Sequence, residues 1–554
     1  MTLTPFMTFS NYVLAACLAV ALLVVTFNPL WRALRSYLVA KYCCVDEIKN
    51  LGTQRPDGAK IRGTAVVCGG SYAGLFTART LHDHFERVIL IEPEEWLLGK
   101  DARRVHSWEQ ESKRSRVIQY MSLQGTQPLL LNALRFMFPG WDTTCKESGI
   151  EIAPSSFKFM YWGKSPVEPK THFGGSLPNT MYASRRGLET ALRRRVLDPK
   201  AYPNIVQIAG SVTGFIVDPR FPDKVAGVKY ASRDPESGTP TREILAELVV
   251  DCTGPAKGGL SWLPHAGFLE PVKMDTYDAK MRYTTFTFHV TPELAARLPV
   301  PGGFYREGGG FVTNHPDSRV DNKYIGILRN EGDLLYVCAG GWGRSGQSPK
   351  TIEDVIAHCQ SLKLEKPFPQ WALDMLYVLQ EVEQDAVVSH VNVGPSFLMK
   401  FHECNGLPTN FVALGDAVCR VNPLYGQGCA KAVIGATCLN TVLNRTRSSP
   451  TLSHSFGHNF FKLQAMKLQP LWNLPILIDY GQQSTIPVEG EKKSSTDFAR
   501  WYLRQIQKLS FTDESAYLPM YLAANLLGST PIDMFHPLLV AKVMWQCIVG
   551  EAAS

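Results

Sequence analysis

An apolar run that leads into a glycine-rich loop, "VVCGGSYAGLF" at residues 66–76, constrains the fold of this chain more than any other feature. The run at residues 64–68 predicts a buried strand, and the apolar spacing over residues 75–84 predicts a helix. A strand, a tight loop and a helix in this order occur in two different kinds of functional site. Ser71 is either the nucleophile of a hydrolase on a sharp turn, or part of a loop that holds the phosphates of a dinucleotide.

The glycine spacing favours the dinucleotide. Gly69, Gly70 and Gly74 fit a tight turn, a close approach to pyrophosphate and close packing of the helix on the strand. The N-terminus of the helix would face the phosphates with its free amides and the positive end of its dipole. A second strand, "RVILIE", ends at Glu92, about the distance along the chain at which an acid hydrogen-bonds the adenosine ribose. We therefore predict a dinucleotide site formed by Gly69, Gly70, Ser71, Tyr72, Ala73, Gly74 and Glu92.

The nucleophile interpretation fits the sequence less well. A nucleophile turn requires Gly-x-Ser-x-Gly, and its last position is occupied here by Ala73. Such a turn also follows several strands of a sheet, whereas this strand is the first of the soluble body. Ser71 is small enough for the middle position of a phosphate loop, and we expect its hydroxyl to be within reach of a phosphate.

The composition excludes several other classes of protein. The chain has 554 residues, of which 45% are hydrophobic and 19% are charged, and this length corresponds to about two or three domains. The net charge of +7 comes without a dense basic tract, so we expect no nucleic acid partner. The 13 cysteines show neither a Cys-x-x-Cys pair nor a Cys/His metal spacing, so we expect reduced thiols and no metal site.

The N-terminal region carries a long uncharged segment. Residues 12–31, "YVLAACLAVALLVVTFNPLW", contain no charge and are long enough to cross the hydrocarbon core of a bilayer. Basic residues follow the segment, beginning with Arg32, and none precedes it, which favours a cytosolic location for the rest of the chain. We predict a single-pass membrane anchor at residues 1–41, in the endoplasmic reticulum membrane, and a linker at residues 42–62.

A second motif lies far downstream, at residues 411–436: "FVALGDAVCRVNPLYGQGCAKAVIGA". It is typical of a strand, a Gly-Asp turn, and a loop rich in proline and glycine that opens a helix of small residues. The stretch resembles the second flavin-binding motif of FAD-dependent monooxygenases of the glutathione-reductase type. The resemblance implies FAD as the cofactor, with Asp416 on the ribitol chain and with Asn422 and Pro423 close to the flavin ring.

The same resemblance places backbone amides of this loop against the ring. The amides would face N1 and the C2 carbonyl of the flavin, where a helix N-terminus stabilises negative charge on the reduced ring. The residues that carry them are Gly426, Gln427 and Gly428.

Further stretches between the two motifs match the same family. "YASRRGLETALRRRV" resembles a helix whose early arginine contacts the cofactor, here Arg185, and we expect the cluster at residues 193–195 to be a solvated face of that helix. "IVQIAGSVTGFIVD" resembles the strand whose backbone receives the adenine, near Val212. "AELVVDCTGPAKGG" resembles the Asp-x-Thr-Gly strand end of the family, with Asp251 and Gly254.

The order of these patterns predicts an α/β fold, in which a Rossmann-type FAD-binding domain at residues 63–276 and 392–446 is interrupted by a substrate domain. At residues 277–391, stretches such as "MRYTTFTFHV" alternate with period two, which indicates an antiparallel sheet. Residues 447–554 are helical and aromatic, and they resemble the C-terminal region of bacterial and fungal epoxidases and monooxygenases of polyketide and terpenoid pathways. This tail is a plain core, the wall of an apolar substrate channel, or a surface that rests on the bilayer.

The resemblance implies an enzyme that takes electrons from NADPH or NADH and passes one oxygen atom of O2 to an apolar terpenoid or polyketide molecule. Such chemistry needs few side-chain catalysts, so we name no catalytic residue. A flavin halogenase would carry a Trp-x-Trp-x-Ile-Pro stretch, which the sequence lacks. A reductase or desaturase of prenyl chains, and a non-catalytic flavin-fold binding protein, stay open as alternatives.

Overall fold

The computed structural model describes residues 27–56, 58–233, 241–343 and 348–552. Most of the predicted membrane span at residues 12–31 therefore lies outside the described residues, and its last residues begin a helix. Within the described ranges, no helix is both long enough and apolar enough to cross a bilayer.

The helices of these ranges are, in chain order, α1 (27–42), α2 (Tyr72–His82), α3 (Pro128–Met137), α4 (Trp141–Glu147), α5 (Arg185–Val196), α6 (Gly258–His265), α7 (Pro292–Arg297), α8 (Ile352–Gln360), α9 (Gln370–Gln380), α10 (Gly428–Asn444), α11 (Phe456–Asp479), α12 (Asp497–Ser510), α13 (Glu514–Ala524), α14 (Pro531–Met534) and α15 (Pro537–Ala552).

The strands are β1 (Ile61–Cys68), β2 (Phe85–Glu92), β3 (Glu151–Pro154), β4 (Phe159–Tyr161), β5 (Asn179–Tyr182), β6 (Ile205–Val217), β7 (Val225–Ser232), β8 (Thr241–Leu245), β9 (Leu248–Asp251), β10 (Met274–Tyr277), β11 (Met281–His289), β12 (Gly310–His315), β13 (Lys323–Arg329), β14 (Leu334–Trp342), β15 (Val387–Asn392), β16 (Ser396–Met399), β17 (Phe411–Ala413) and β18 (Cys419–Arg420).

The largest sheet explains how distant loops reach one place. Among the described residues it has seven strands in the order β17-β9-β1-β2-β6-β7-β8. Strands β17, β9, β1, β2 and β6 run parallel, and β7 and β8 extend the sheet in antiparallel fashion. Because the carboxyl ends of parallel strands lie at one edge, the loops after β1, β2, β9 and β17 open onto the same edge.

The central strand of this sheet is buried on both faces. Ala65, Val66, Val67 and Cys68 in β1 are all 0% exposed, as expected for a parallel sheet covered by helices on its two sides. Helix α10 packs against α2 and α11, and α6 packs against β6. The mixed α/β class predicted from the sequence is confirmed.

A second sheet has six strands among the described residues, in the order β15-β11-β14-β13-β12-β4. The five strands from β11 to β15 pair antiparallel, whereas β4 comes from much earlier in the chain and pairs parallel with β12. One face contributes Tyr283 and Trp342 to the core of the parallel sheet, and the other contributes Phe286 and Val337 to a core shared with α8 and α9. Both faces are therefore buried, and the sheet separates two apolar clusters.

The two ends of the described chain lie together. Arg35 in α1 pairs with Asp533 in α14 at 2.7 Å, and the rings of Trp31 and His536 lie 5.2 Å apart. The stretch at 42–62 that we predicted as a linker adds four buried apolar side chains to the core of the parallel sheet: Cys44, Ile48, Leu51 and Ile61.

We expect Gly74→Ala to destabilise the fold at the first loop. A Cβ on Gly74 would lie 1.8 Å from the carbonyl oxygen of Gly69, so the helix and the loop must move apart, at a cost of about 3 kcal/mol in the free energy of unfolding. Gly214→Ala in β6 is the matched control, because its Cβ would meet nothing within 4 Å. Urea unfolding of the two variants checks this, and equal midpoints would show that the loop and α2 are not in tight contact.

Candidate functional site

The two predicted motifs meet at the carboxyl edge of the parallel sheet. A Cβ placed on Gly415 would lie 2.7 Å from the Cβ of Ala73, so the Gly-Asp turn touches the first loop. A Cβ on Gly254, after β9, would lie 3.9 Å from the Cβ of Asp416. Three loops that are far apart in the sequence therefore form one site.

Two helices begin at this site without a side-chain cap. Ser71 is the N-cap of α2, and its side chain accepts no hydrogen bond from the first turn. Gln427, the N-cap of α10, accepts none either, and a Cβ on Gly428 would meet nothing within 4 Å. The free amides at the start of α2 fit the phosphates of a dinucleotide, and those of α10 fit the electron-rich edge of a flavin.

Predicted residues from separate parts of the chain line one cavity at this edge. The predicted residues in its lining are Arg185, Asp416, Pro423, Gly426 and Gly428. Beside it, the buried Oε1 atoms of Gln127 and Gln427 have no hydrogen-bond partner in the described residues. Nε2 of Gln127 donates to the carbonyl oxygen of Gly426 at 3.0 Å, which ties α3 to the loop before α10. Buried acceptors without partners fit a ligand that donates hydrogen bonds.

Asp416 is ionised and half-open to the cavity. Its Oδ1 accepts a hydrogen bond from Nζ of Lys431 at 2.6 Å; the Lys431 side chain is 2% exposed and that of Asp416 is 40% exposed. Partial burial works to raise the pKa of Asp416, but the Lys431 ammonium and its hydrogen bond hold the pKa below its usual value. Oδ2 has no protein partner among the described residues, so it can accept hydrogen bonds from the hydroxyl groups of a ligand.

The hydroxyl of Ser71 is held by charged side chains. Its Oγ accepts a hydrogen bond from Arg185 at 2.6 Å and donates to Glu189 at 3.2 Å. The Arg185 guanidinium also lies over the ring of Tyr72, 3.8 Å from its centre. In the described part of the chain no histidine hydrogen-bonds Ser71, which agrees with a phosphate loop and disfavours the nucleophile.

A buried charge network lies beneath this loop, and its centre is Glu189 in α5. The Glu189 carboxylate pairs with Arg114, Arg185 and Arg193, and its side chain is 2% exposed. Burial works to raise the pKa of Glu189, but the three arginines lower it to about 2. Arg193 also donates to the carbonyl oxygen of Gly70, so the network fixes the loop directly.

The predicted solvated face at residues 193–195 is wrong for Arg193, whose side chain is 1% exposed. Arg193 lies one turn after Glu189 on the same helix face, and this ion pair offsets the loss of hydration. Another partner of Glu189 is Arg114, which comes from a loop before α3 and was not predicted from the sequence.

The other predicted residues take the following places. Glu92 is 1% exposed; its carboxylate accepts from the Gly70 amide at 2.7 Å and lies against Arg114. Val212 in β6 is half-buried and lies opposite Tyr230 of β7. Asp251 at the end of β9 accepts from the amides of Thr253 and Gly259, so it closes its own turn.

A buried carboxylate that the sequence analysis missed, Asp479 at the end of α11, supports the loop before α10. Asp479 is 0% exposed and accepts hydrogen bonds from Trp342 Nε1 at 2.9 Å, Tyr425 Oη at 2.8 Å, Tyr277 Oη at 2.9 Å and Asn422 Nδ2 at 3.1 Å. Burial raises its pKa to about 6, although these four donors oppose the shift. The position of this acid inside the apolar stretch "LPILIDYG" could have indicated a buried carboxylate, because a buried acid needs hydrogen-bond donors around it.

Most of the chain resembles several known proteins, although no family model matches it. Protein Rv3254 of Mycobacterium tuberculosis is 24% identical over 468 residues, which cover 80% of this chain and 89% of that protein. The flavin-dependent brominase Bmp2 superposes with a TM-score of 0.51 and 12% identity, over 89% of this chain and 100% of the brominase.

Two further solved structures are similar in fold. The tetrameric form of 2-methyl-3-hydroxypyridine-5-carboxylic acid oxygenase has a TM-score of 0.51 and 16% identity, over 85% of this chain and 99% of that chain. A flavoprotein/dehydrogenase from Cytophaga hutchinsonii has a TM-score of 0.52 and 11% identity, over 84% of this chain and 93% of that chain. The chain therefore has the fold of flavin-dependent oxygenases and related flavoproteins.

We expect Glu189→Gln to cost about 3–5 kcal/mol of unfolding free energy, because it leaves three arginines without their shared carboxylate. The folded protein keeps Glu189 ionised to a lower pH than the unfolded chain, since its pKa falls to about 2. The stability that Glu189 contributes is therefore complete above its ordinary pKa and is lost as the pH falls toward 2.

Urea unfolding at about pH 7 and about pH 3.5 measures both effects. The difference between wild type and Glu189→Gln should shrink at the lower pH. Glu243→Gln is the control, because Glu243 is 58% exposed in β8 and should change little at either pH. A Glu189→Gln variant as stable as the wild type would contradict the central place given to this carboxylate.

Proposed function

We propose that the protein is an FAD-dependent monooxygenase that takes electrons from NADPH or NADH and transfers one oxygen atom of O2 to an apolar small molecule. The observation that carries this proposal is the meeting of two uncapped helix N-termini and an ionised Asp416 at one edge of the parallel sheet. FAD, when bound, supplies the redox chemistry. The residues proposed to hold it are those of the first loop, Arg185, Asp416 and the loop at 426–428.

A second, larger cavity next to this site supports an apolar substrate. It has a volume of about 490 Å³, which falls in the range of pockets for small molecules. Aliphatic and aromatic side chains form most of its wall, and Tyr324, Leu424 and Gly426 line both cavities. A molecule in the larger cavity would therefore lie beside the flavin. We propose a terpenoid or polyketide intermediate as substrate and epoxidation or hydroxylation as the reaction.

The protein's own contribution to such a reaction is positioning and exclusion of water. Asp479 holds Asn422 and Tyr425, so the loop that would face the flavin ring is fixed to α11. The same carboxylate accepts from Trp342 of the second sheet, which also lines the larger cavity. Residues of α12 and α13 form the opposite wall of that cavity. The helical tail thus serves as a wall between the substrate cavity and solvent.

We expect Asp416→Ala to weaken FAD binding about 10- to 150-fold, because a charged hydrogen-bond acceptor for the ribitol is worth about 1.5–3 kcal/mol. Ser71→Ala and Ser71→Gly should change the dissociation constant less than about threefold, since each removes one modest contact. Titration of FAD into the apoprotein variants measures the constants. Normal FAD affinity in Asp416→Ala would argue against the ribitol contact. Loss of turnover in a Ser71 variant with normal flavin content would show that Ser71 takes part in the reaction.

We further propose that the protein is bound to a membrane, with the catalytic body on the cytosolic side. The apolar run at residues 12–31 ends at Trp31, in the first turns of α1. There the Trp31 ring contacts His536, the residue before α15. One face of α15 is buried through Leu539 and Val543. The other face carries apolar side chains that are 46–69% exposed, and Lys542 lies among them; the apolar members are Leu538, Met544, Trp545, Ile548 and Val549. A helix with apolar side chains on both faces and a lysine on the exposed one fits a lipid surface.

Deletion of residues 1–26 tests this proposal while it keeps α1 and its contact with Asp533. We expect the full chain to float with phosphatidylcholine–phosphatidylserine vesicles, and the deletion variant to float more weakly through α15. Adding Trp545→Glu and Ile548→Glu should release it, whereas Lys508→Glu on α12 serves as a charge-changing control. A full chain that does not float would overturn the membrane proposal. A deletion variant that forms dimers instead of binding vesicles would assign the α15 face to a second copy.

A further inference from the structure

The larger cavity contains polar groups that the protein itself does not satisfy. His315 ends β12 and lies among three aromatic rings, with ring-centre distances of 5.6 Å to Phe159, 6.2 Å to Tyr161 and 5.6 Å to Tyr324. All four side chains line the cavity. Within the described ranges, neither the imidazole nitrogens of His315 nor the hydroxyls of Tyr161 and Tyr324 have a hydrogen-bond partner.

The charged side chains of the same cavity are paired with each other. Arg504 donates to Asp317 at 2.6 Å and lies over the ring of Trp162, and Arg500 pairs with Asp497. Nε of Arg504 has no acceptor of its own, but its charge is balanced by Asp317, so among the described residues the cavity groups that lack both a partner and a counter-charge are neutral. Burial also lowers the pKa of His315 to about 4, so its imidazole is uncharged near neutral pH and offers a nitrogen lone pair.

Polar groups without partners determine which ligands a cavity prefers. An apolar ligand without an oxygen function would cover His315 and the two tyrosines and leave them without water or a partner, which is unfavourable. A site that hydrogen-bonds a hydroxyl group rejects the analogue that lacks the hydroxyl far more strongly than it rejects a change in apolar size. The aromatic rings around His315 at the same time favour a flat or ring-bearing body.

We infer that His315, with Tyr161 and Tyr324, is a recognition site for an uncharged, ring-bearing apolar molecule that carries a hydroxyl group. The hydroxyl donates a hydrogen bond to the imidazole, and a tyrosine hydroxyl donates to its oxygen. Tyr324 lines both cavities, so a molecule held at this point extends toward the proposed flavin site. This inference rests on the proposed function only in taking the larger cavity as the substrate cavity, and it disfavours a plain hydrocarbon.

The test compares two probes that differ in one hydroxyl group, 2-naphthol and naphthalene. Equilibrium dialysis against the purified full chain gives both dissociation constants, with partitioning into detergent measured in protein-free samples. We expect the wild type to bind 2-naphthol at least about tenfold more tightly than naphthalene. His315→Leu should reduce this ratio below about threefold without weakening naphthalene, and His315→Gln, which keeps an acceptor, should retain much of it.

Phe159→Leu is the matched control, because it changes the same cavity without a hydrogen-bonding group and should weaken both probes alike. An unchanged ratio in His315→Leu, or equal binding of the two probes by the wild type, would overturn the inference. FAD content is measured on the same samples. Protein without FAD that still shows the His315-dependent ratio would contradict the proposed function and support the recognition site. Protein that binds FAD but shows no such ratio would leave the proposed function standing and overturn the recognition site.

Discussion

The site depends on one buried interaction, the pairing of Glu189 with Arg114, Arg185 and Arg193. Without a carboxylate among them, the three arginine side chains beneath the first loop would repel each other and resist burial. Glu189 offsets their charge in part and fixes their directions. Through Arg193 and the carbonyl oxygen of Gly70, it also fixes the first loop. Arg114 also pairs with Glu92 and Glu94, so three carboxylates balance the charge of the three arginines.

Asp479 plays the corresponding part at the other end of the site. Its two carboxylate oxygens accept from side chains of β10, of the second sheet and of the loop before α10, so one residue of the helical tail joins three parts of the fold. All its partners are neutral donors, which is why burial raises its pKa to about 6. This contact holds the loop that lines both cavities against the end of α11.

The sequence predicted the features that depend on neighbouring residues. The strand, glycine loop and α2 follow from local spacing, and the Gly-Asp turn before α10 is recognisable for the same reason. Contacts made across the fold were not predictable in this way. Arg193 was expected in solvent because its helix ends in three arginines, and only the packing of α5 under the first loop buries it. Likewise β4 joins the second sheet from a distant part of the chain, where three residues carry too little pattern to reveal a partner.

The central claim is that the chain holds FAD at the edge where the two motifs meet. The most direct measurement is the amount of FAD released by denaturing the purified full-length protein, identified by mass and compared with the protein concentration. The account predicts about one FAD for each chain, either as purified or after incubation with FAD. Protein that stays colourless and releases no FAD after incubation with an excess of the cofactor would contradict it.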